Sequence, residues 1–315
     1  MRDETEVRPD VRVVLDYLAG AETEATEERE PATARASMLE SVRLADLPTG
    51  PIAVSRNLTV PGPGGDLPAL LLDPRDTRVA GPLVIWFHGG GFVTGDIETH
   101  RSLCAEAARQ LDLPVLLVGY RLAPEAPFPA AHDDAEAVCR WAAQNPAELE
   151  LEISGLVLGG DSAGGNLTVT TTIALRDRPA AVPVLAQLAV YPSTDATRTY
   201  PSERTFAEGY LLTEAGKRWY RKHNRITPDD LRASPINADL ADLPPAVIMT
   251  AGCDPNRDEG RAFAAALVQA GVPTTYLEAV GNVHAFVILR GAVPSSQADI
   301  RTALDALRDV LSRSA

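Results

Sequence analysis

The sequence predicts an α/β fold, a mostly parallel sheet flanked by helices, with one insertion that breaks the pattern. Three observations carry this. Short apolar runs alternate with helical patterns along most of the chain, the signature of βαβ units. One such run, Leu156-Val157-Leu158, ends in the turn Gly159-Gly160-Asp161-Ser162-Ala163-Gly164-Gly165-Asn166, and an alanine- and threonine-rich run leads out of it. The rhythm is interrupted once, over residues 196–231.

Composition sets the bounds. The 315 residues are 45% hydrophobic and 23% charged, as expected of an ordinary soluble chain. A net charge of −14 argues against nucleic acid and anionic membranes as partners. No apolar run approaches the roughly 18 residues of a membrane span. The acidic start, Met1-Arg2-Asp3-Glu4-Thr5-Glu6, has no apolar stretch behind it, so no secretory signal is visible and a cytoplasmic location is expected. Cys104, Cys139 and Cys253 are widely spaced and odd in number, which reads as buried free thiols and neither a disulfide framework nor a zinc site.

Taken in order, residues 1–45 read as helical and unlike the rest. Val11, Val14, Leu15 and Leu18 share a helical face, with Gly20 as the stop. Residues 21–30 hold five glutamates and read as a solvated linker or exposed helix face. Met38, Leu39 and Val42 mark a second amphipathic helix. Residues 52–60 and 67–72 predict an antiparallel hairpin around the turn Pro61-Gly62-Pro63-Gly64-Gly65. The continuous apolar run of residues 82–87 suits a strand buried on both faces, and it ends in His88-Gly89-Gly90-Gly91-Phe92. A helix over 101–111, a strand over 115–118, the loop Tyr120-Arg121-Leu122-Ala123-Pro124-Glu125 and a helix over 130–143 follow. After the glycine-rich turn come a helix and a strand over 185–190.

Residues 196–231 contain Tyr200, Phe206, Tyr210, Trp219 and Tyr220, five of the 16 aromatic residues. That density predicts a helical hairpin with its own small core, a lid over a pocket, or both. The α/β rhythm then resumes with strands over 246–250 and 274–279 and helices over 257–270 and 297–311.

Gly160-Asp161-Ser162-Ala163-Gly164 fits G-x-S-x-G, a strand–turn–helix elbow that presents a serine hydroxyl at the C-terminal end of a strand. It is no P-loop, because Gly165-Asn166 stands where Lys-Ser/Thr is required. Ser162 needs a base. In a parallel sheet, functional groups collect beyond the C-terminal strand ends. Of His88, His100, His132, His223 and His284, only His284 has that address, four residues after a strand ending at Val280, in the loop Gly281-Asn282-Val283-His284. The orienting carboxylate is assigned to Asp254, which follows the strand over 246–250. Asp258 and Glu259 fall in the next helix's first turn, where negative charge suits the macrodipole. His88-Gly89-Gly90-Gly91 lets the backbone turn its amides inward toward an oxyanion, and Ala163 N–H adds a donor from the elbow. The order Ser162, Asp254, His284 is that of α/β-hydrolases.

Together with Tyr120-Arg121-Leu122-Ala123-Pro124-Glu125 and Asp254-Pro255-Asn256-Arg257-Asp258-Glu259-Gly260, these motifs resemble the hormone-sensitive lipase family of bacterial carboxylesterases, in its branch with a Gly-Asp-Ser-Ala-Gly-Gly elbow. The match spans the chain after about residue 50. The resemblance implies an α/β-hydrolase fold with a largely parallel eight-stranded sheet, and an N-terminal cap joined by an insertion after the sixth strand. It implies no cofactor and no metal, oxyanion donation by Gly90, Gly91 and Ala163, and a loop-shaping His88 outside the triad. The divisions are then a cap over 1–45, catalytic core over 46–195 and 232–315, and a cap insertion over 196–231. The chain departs from the pattern at Asn256, where leucine is common, at Ala285, where glycine is usual, and at Asn282-Val283, where apolar residues are common. The triad residues are intact, and acid-loop packing and turnover are where this chain is expected to differ.

The expected activity is hydrolysis of short- to medium-chain acyl esters through an acyl-enzyme. Amidase, lactonase and deacetylase chemistry use the same triad and remain alternatives, as does a non-catalytic hydrolase-fold ligand-binding protein. The expected partner is a small-molecule ester, with room left for a homodimer.

Overall fold

The computed structural model describes residues 6–21 and 25–314, and turns the alternation of the sequence into one eight-stranded sheet. Two helices come first, α1 (Pro9–Gly20) and α2 (Pro31–Ala45). The hairpin β1 (Val54–Gly62) and β2 (Gly65–Asp73) follows, then β3 (Gly81–Phe87), α3 (Ile97–Leu111), β4 (Val115–Val118) and α4 (Ala130–Ala142). The elbow joins β5 (Ile153–Asp161) to α5 (Ala163–Asp177), and β6 (Val184–Val190) comes next. The interruption holds α6 (Pro201–Thr205) and α7 (Glu214–Asn224). The chain closes with β7 (Ala246–Cys253), α8 (Arg257–Gln269), β8 (Thr274–Val283) and α9 (Ser296–Ser314).

Strand order is β1-β2-β4-β3-β5-β6-β7-β8. Only β2 runs antiparallel to its neighbours, β1 and β4; the other pairs are parallel. The two faces of β3 show why its sequence is apolar throughout. Val84 and Trp86 point into a core with Leu103 of α3 and Leu304 and Leu307 of α9. Leu83, Ile85 and Phe87 point into the opposite core, with Val138 of α4 and Leu167 of α5. Each fully buried side chain of this size contributes about 1.5–3 kcal/mol of transfer free energy. A third core joins Ile248 of β7 to Phe263 and Leu267 of α8.

Several boundaries differ from expectation. The hairpin turn is only Pro63-Gly64, because Gly62 pairs with Gly65 and edge strand β1 continues through Pro61. Helix α3 starts four residues earlier than expected, where the Asp96 side chain accepts the Thr99 N–H and caps the first turn. Both β7 and β8 run past the glycines that read as loop. Gly252 and Gly281 sit at a register irregularity that ends with Cys253 opposite Val283. His284 therefore follows β8 directly. In α1, Val11 and Leu15 are buried while Leu18 is 40% exposed. The acidic start through Thr5, and residues 22–24 of the glutamate-rich stretch, lie outside the described residues.

Candidate active site

The elbow places Ser162 between β5 and α5 with φ 55° and ψ −115°, a strained conformation for a non-glycine residue. Close packing holds it there. A side chain at Gly160 would collide with the Gly164 carbonyl, and one at Gly164 with the Phe87 carbonyl at the end of β3. The Ser162 N–H donates to Val190 O of β6 at 2.9 Å. The hydroxyl is thereby fixed above the strand ends, at the start of a helix.

Three side chains predicted from the sequence form one hydrogen-bonded chain. His284 Nε2 lies 2.8 Å from Ser162 Oγ, and His284 Nδ1 lies 2.7 Å from Asp254 Oδ2. Asp254 is fully buried, and its other oxygen accepts the Asn256 N–H at 2.8 Å. The ring of Tyr191 packs 4.5 Å from that of His284, centre to centre. Asp258 and Glu259 are used elsewhere. Asp258 pairs with Arg257 and Arg261 and accepts the Ser202 N–H. Glu259 is buried and accepts the N–H groups of Thr194 and Asp195, so it braces the loop after β6, a job beyond the macrodipole role expected of it.

The glycine loop lines the same cleft. Gly90 and Gly91 have φ of 119° and 59°, which side chains rarely adopt, and a Cβ there would strike the Thr94 carbonyl or the Tyr220 ring. Among the described residues no protein acceptor takes the N–H of Gly90, Gly91 or Ala163, and all three residues line the cleft. The Gly89 N–H, in contrast, is spent on Asp161 Oδ1 at 3.1 Å. Asp161 Oδ1 also lies 3.1 Å from His100 Nε2. Burial pushes the Asp161 carboxyl up, but the facing imidazoles of His100, His88 and His284 outweigh it and leave it below the usual carboxylate range.

The Asp161–His100 pair is the part of the site that sequence reasoning missed. Its signal was a carboxylate between glycine and serine in an otherwise apolar strand end. His88 lies outside the Ser162 chain. Its carbonyl accepts the Tyr120 hydroxyl at 2.7 Å, its ring stacks on Tyr120, and burial pushes its pKa down to about 4.

The loop Tyr120–Glu125 and α2 hold the glycine loop from outside. Arg121 pairs with Asp134, and the Ala123 N–H donates to Phe92 O. Arg35 of α2 donates to Val93 O and Ala123 O and pairs with Glu125. The unusual residues of the base loop are also accounted for. Asn282 is buried because its amide donates to Ser296 Oγ and Asp299 Oδ2, tying the end of β8 to α9. Ala285 has φ 63°, so it occupies the left-handed geometry for which glycine would be relaxed.

Met38 of α2, Leu212, Tyr220 of α7 and Ile226 line the cleft together with Ser162. Of the five aromatics in the interruption, Tyr220 alone lines it. Phe206 packs with Val11 and Leu15, Trp219 with Ala34 and Val93, and the Tyr200 hydroxyl donates to Asp195.

The model of a family described as alpha/beta hydrolase fold matches residues 84–288. The chain belongs to this family. Its relatives include the carboxylic ester hydrolase LipN of Mycobacterium tuberculosis, 40% identical over 82% of this chain and 70% of that one. The esterase LipI of the same organism is 38% identical over 85% of this chain and 87% of its own. Among solved structures, an ester-hydrolase from the metagenome of Lake Arreo superposes with TM-score 0.91 at 34% identity, covering 96% of this chain and 98% of that one. A thermostable esterase from Pseudomonas putida gives TM-score 0.90 at 28% identity, over 97% and 98%. These relatives bear out the resemblance to carboxylesterases read from the motifs. Among the described residues no helix is long and apolar enough to cross a membrane.

Proposed function

We propose that this ester hydrolase works through Ser162 as nucleophile, His284 as general base and Asp254 as the group that orients it. The observation that carries the reading is the Ser162–His284–Asp254 chain, at 2.8 and 2.7 Å, in a cleft also lined by Gly90, Gly91 and Ala163, whose N–H groups have no acceptor among the described residues. His284 takes the serine proton as Oγ attacks the acyl carbon. Asp254 fixes the tautomer and stabilises the imidazolium. The amides of Gly90, Gly91 and Ala163 receive the oxyanion. His284 then protonates the leaving alcohol, and water resolves the acyl-enzyme.

In this reading the two N-terminal helices and the interruption form a cap, since Met38 from one and Tyr220 from the other both line the cleft that holds Ser162. The cavity holds about 150 Å³. That is small against the roughly 300–1,000 Å³ of sites for drug-sized ligands, and it favours short acyl groups. Each added methylene is worth about 0.8 kcal/mol only while it can be buried. The acyl optimum is therefore expected at about two to eight carbons. A p-nitrophenyl ester series from acetate to palmitate checks this, and activity peaking at palmitate contradicts it. Matching anilides separate esterase from amidase, and esters are expected to win. Cytoplasmic placement is part of the proposal, supported by three buried cysteines that form no disulfide with one another, which suits a reducing compartment.

A further inference from the structure

The cleft wall supplied by α7 is polar in a way that ester hydrolysis does not use. Lys217, Arg221 and Asn224 follow one another at helical spacing and all line the cleft with Ser162. Asn224 is 3% exposed, and its Nδ2 has no partner among the described residues. Lys217 is 8% exposed; its ammonium lies 3.2 Å from Glu203 Oε2 without an aligned hydrogen bond. Arg221 is half-buried, and its guanidinium makes no hydrogen bond or ion pair with any described residue. Arg218, one turn earlier, pairs with Glu214 on the outer face, and Lys222 is exposed. A charge that only offset the helix C-terminus would sit in solvent as Lys222 does.

Of the cations on this wall, only the Arg221 guanidinium has no counter-ion among the described residues. Glu203 and the buried Glu259 face Lys217, and their pull is spent there. Asp161 also lines the cleft, but it is committed to Gly89 and His100. The chain as a whole carries −14, which repels anions, so any attraction for one must be local. Donors without acceptors beside a nucleophile are costly unless a ligand completes them. A guanidinium matches a carboxylate with two parallel hydrogen bonds.

We infer that the preferred substrates are esters carrying a carboxylate away from the scissile bond, bound by Arg221 with Asn224 and Lys217 beside it. The inference rests on the ester-hydrolase reading above. The carboxylate can enter on the acyl or the alcohol side, and two substrate pairs distinguish these. Monoethyl glutarate is compared with ethyl pentanoate for the acyl side, and 4-acetoxybutanoate with butyl acetate for the alcohol side. The quantity read is the ratio of kcat/KM for the anionic ester over its neutral partner, in the wild type, Arg221→Met and Arg221→Lys. For one pair the ratio should fall at least about fivefold in Arg221→Met, through KM, and recover in part in Arg221→Lys. In the wild type that ratio should also fall as salt rises from about 0.05 to about 0.5 M. A change smaller than this for both pairs overturns the inference. Hydrolysis of ethyl pentanoate by the wild type stands as the separate test of the ester-hydrolase reading, so the two failures are distinguishable.

Discussion

The floor and the roof of the cleft are built from different materials. The floor, formed by the elbow, the glycine loop and the ends of β7 and β8, is fixed by backbone contacts. Gly164 lies against Phe87 O, Gly89 N–H is bound to Asp161, and Asp254 is locked by Asn256 N–H. The roof, from α2 and α7, is held by side chains. Arg35 reaches the glycine loop, Trp219 packs on Ala34 and Val93, and Lys217 meets Glu203. Backbone-fixed geometry has little freedom to drift without unfolding the sheet, whereas side-chain contacts can be exchanged one at a time. In the proposed mechanism, chemistry belongs to the floor and selectivity to the roof. Substitutions below should therefore cost turnover, and substitutions above should change which ester is preferred.

The largest effects test the floor. Ser162→Ala and His284→Ala should each lower kcat by about 10⁶-fold in a folded protein. Retention of a tenth of wild-type kcat by His284→Ala would remove it from the mechanism. Next comes Asp254→Asn, at about 10⁴-fold, because the wrong histidine tautomer is favoured. Asp258→Asn should lose far less, and comparable losses in the two would contradict the assignment. Gly91→Ala comes third. Its φ of 59° and the Tyr220 ring leave no room for a Cβ, so an oxyanion donor should be displaced at a cost of about 10²–10³ in kcat.

A fourth prediction concerns acid. Burial pushes His88 and His132 down to about 4 from an ordinary 6.5. Between those values the unfolded chain binds more protons, so acid favours unfolding. The contribution, on the order of 3 kcal/mol per histidine, is complete above about pH 6.5 and is lost as pH falls through about 4. Urea titrations at neutral and acid pH measure it, and His132→Gln should flatten part of the slope. The smallest effect tests the roof. Tyr220→Ala should shift the preferred acyl chain to longer lengths with at most about a tenfold change in kcat/KM for acetate esters. A 10³-fold loss for every chain length would put Tyr220 with the floor and break the comparison.

What the sequence made legible follows the same division. That the elbow, the glycine loop, Asp254 and His284 meet at one edge of the sheet was readable because each lies at or just after the C-terminal end of a strand. The strand alternation was readable because β3 and its neighbours are buried on both faces. The ends of β7 and β8 were misjudged because Gly252 and Gly281, which read as loop, lie inside a register irregularity. Asp161 and His100 escaped because a buried carboxylate joined to a helix residue 61 positions away leaves no local pattern. Glu259 escaped for the same reason, its partners being N–H groups 65 and 64 residues away. In the interruption the aromatic count was visible, but which ring faces the cleft depends on helix rotation, and only Tyr220 does.

The most direct test of the central claim is a fluorophosphonate label followed by intact-mass and peptide measurement on the wild type, Ser162→Ala and His284→Ala. The account predicts one adduct per chain on Ser162 in the wild type, loss of ester hydrolysis in step with labelling, no adduct in Ser162→Ala, and labelling of His284→Ala slowed by orders of magnitude. An adduct on another residue, or hydrolysis that continues after Ser162 is fully labelled, would contradict it.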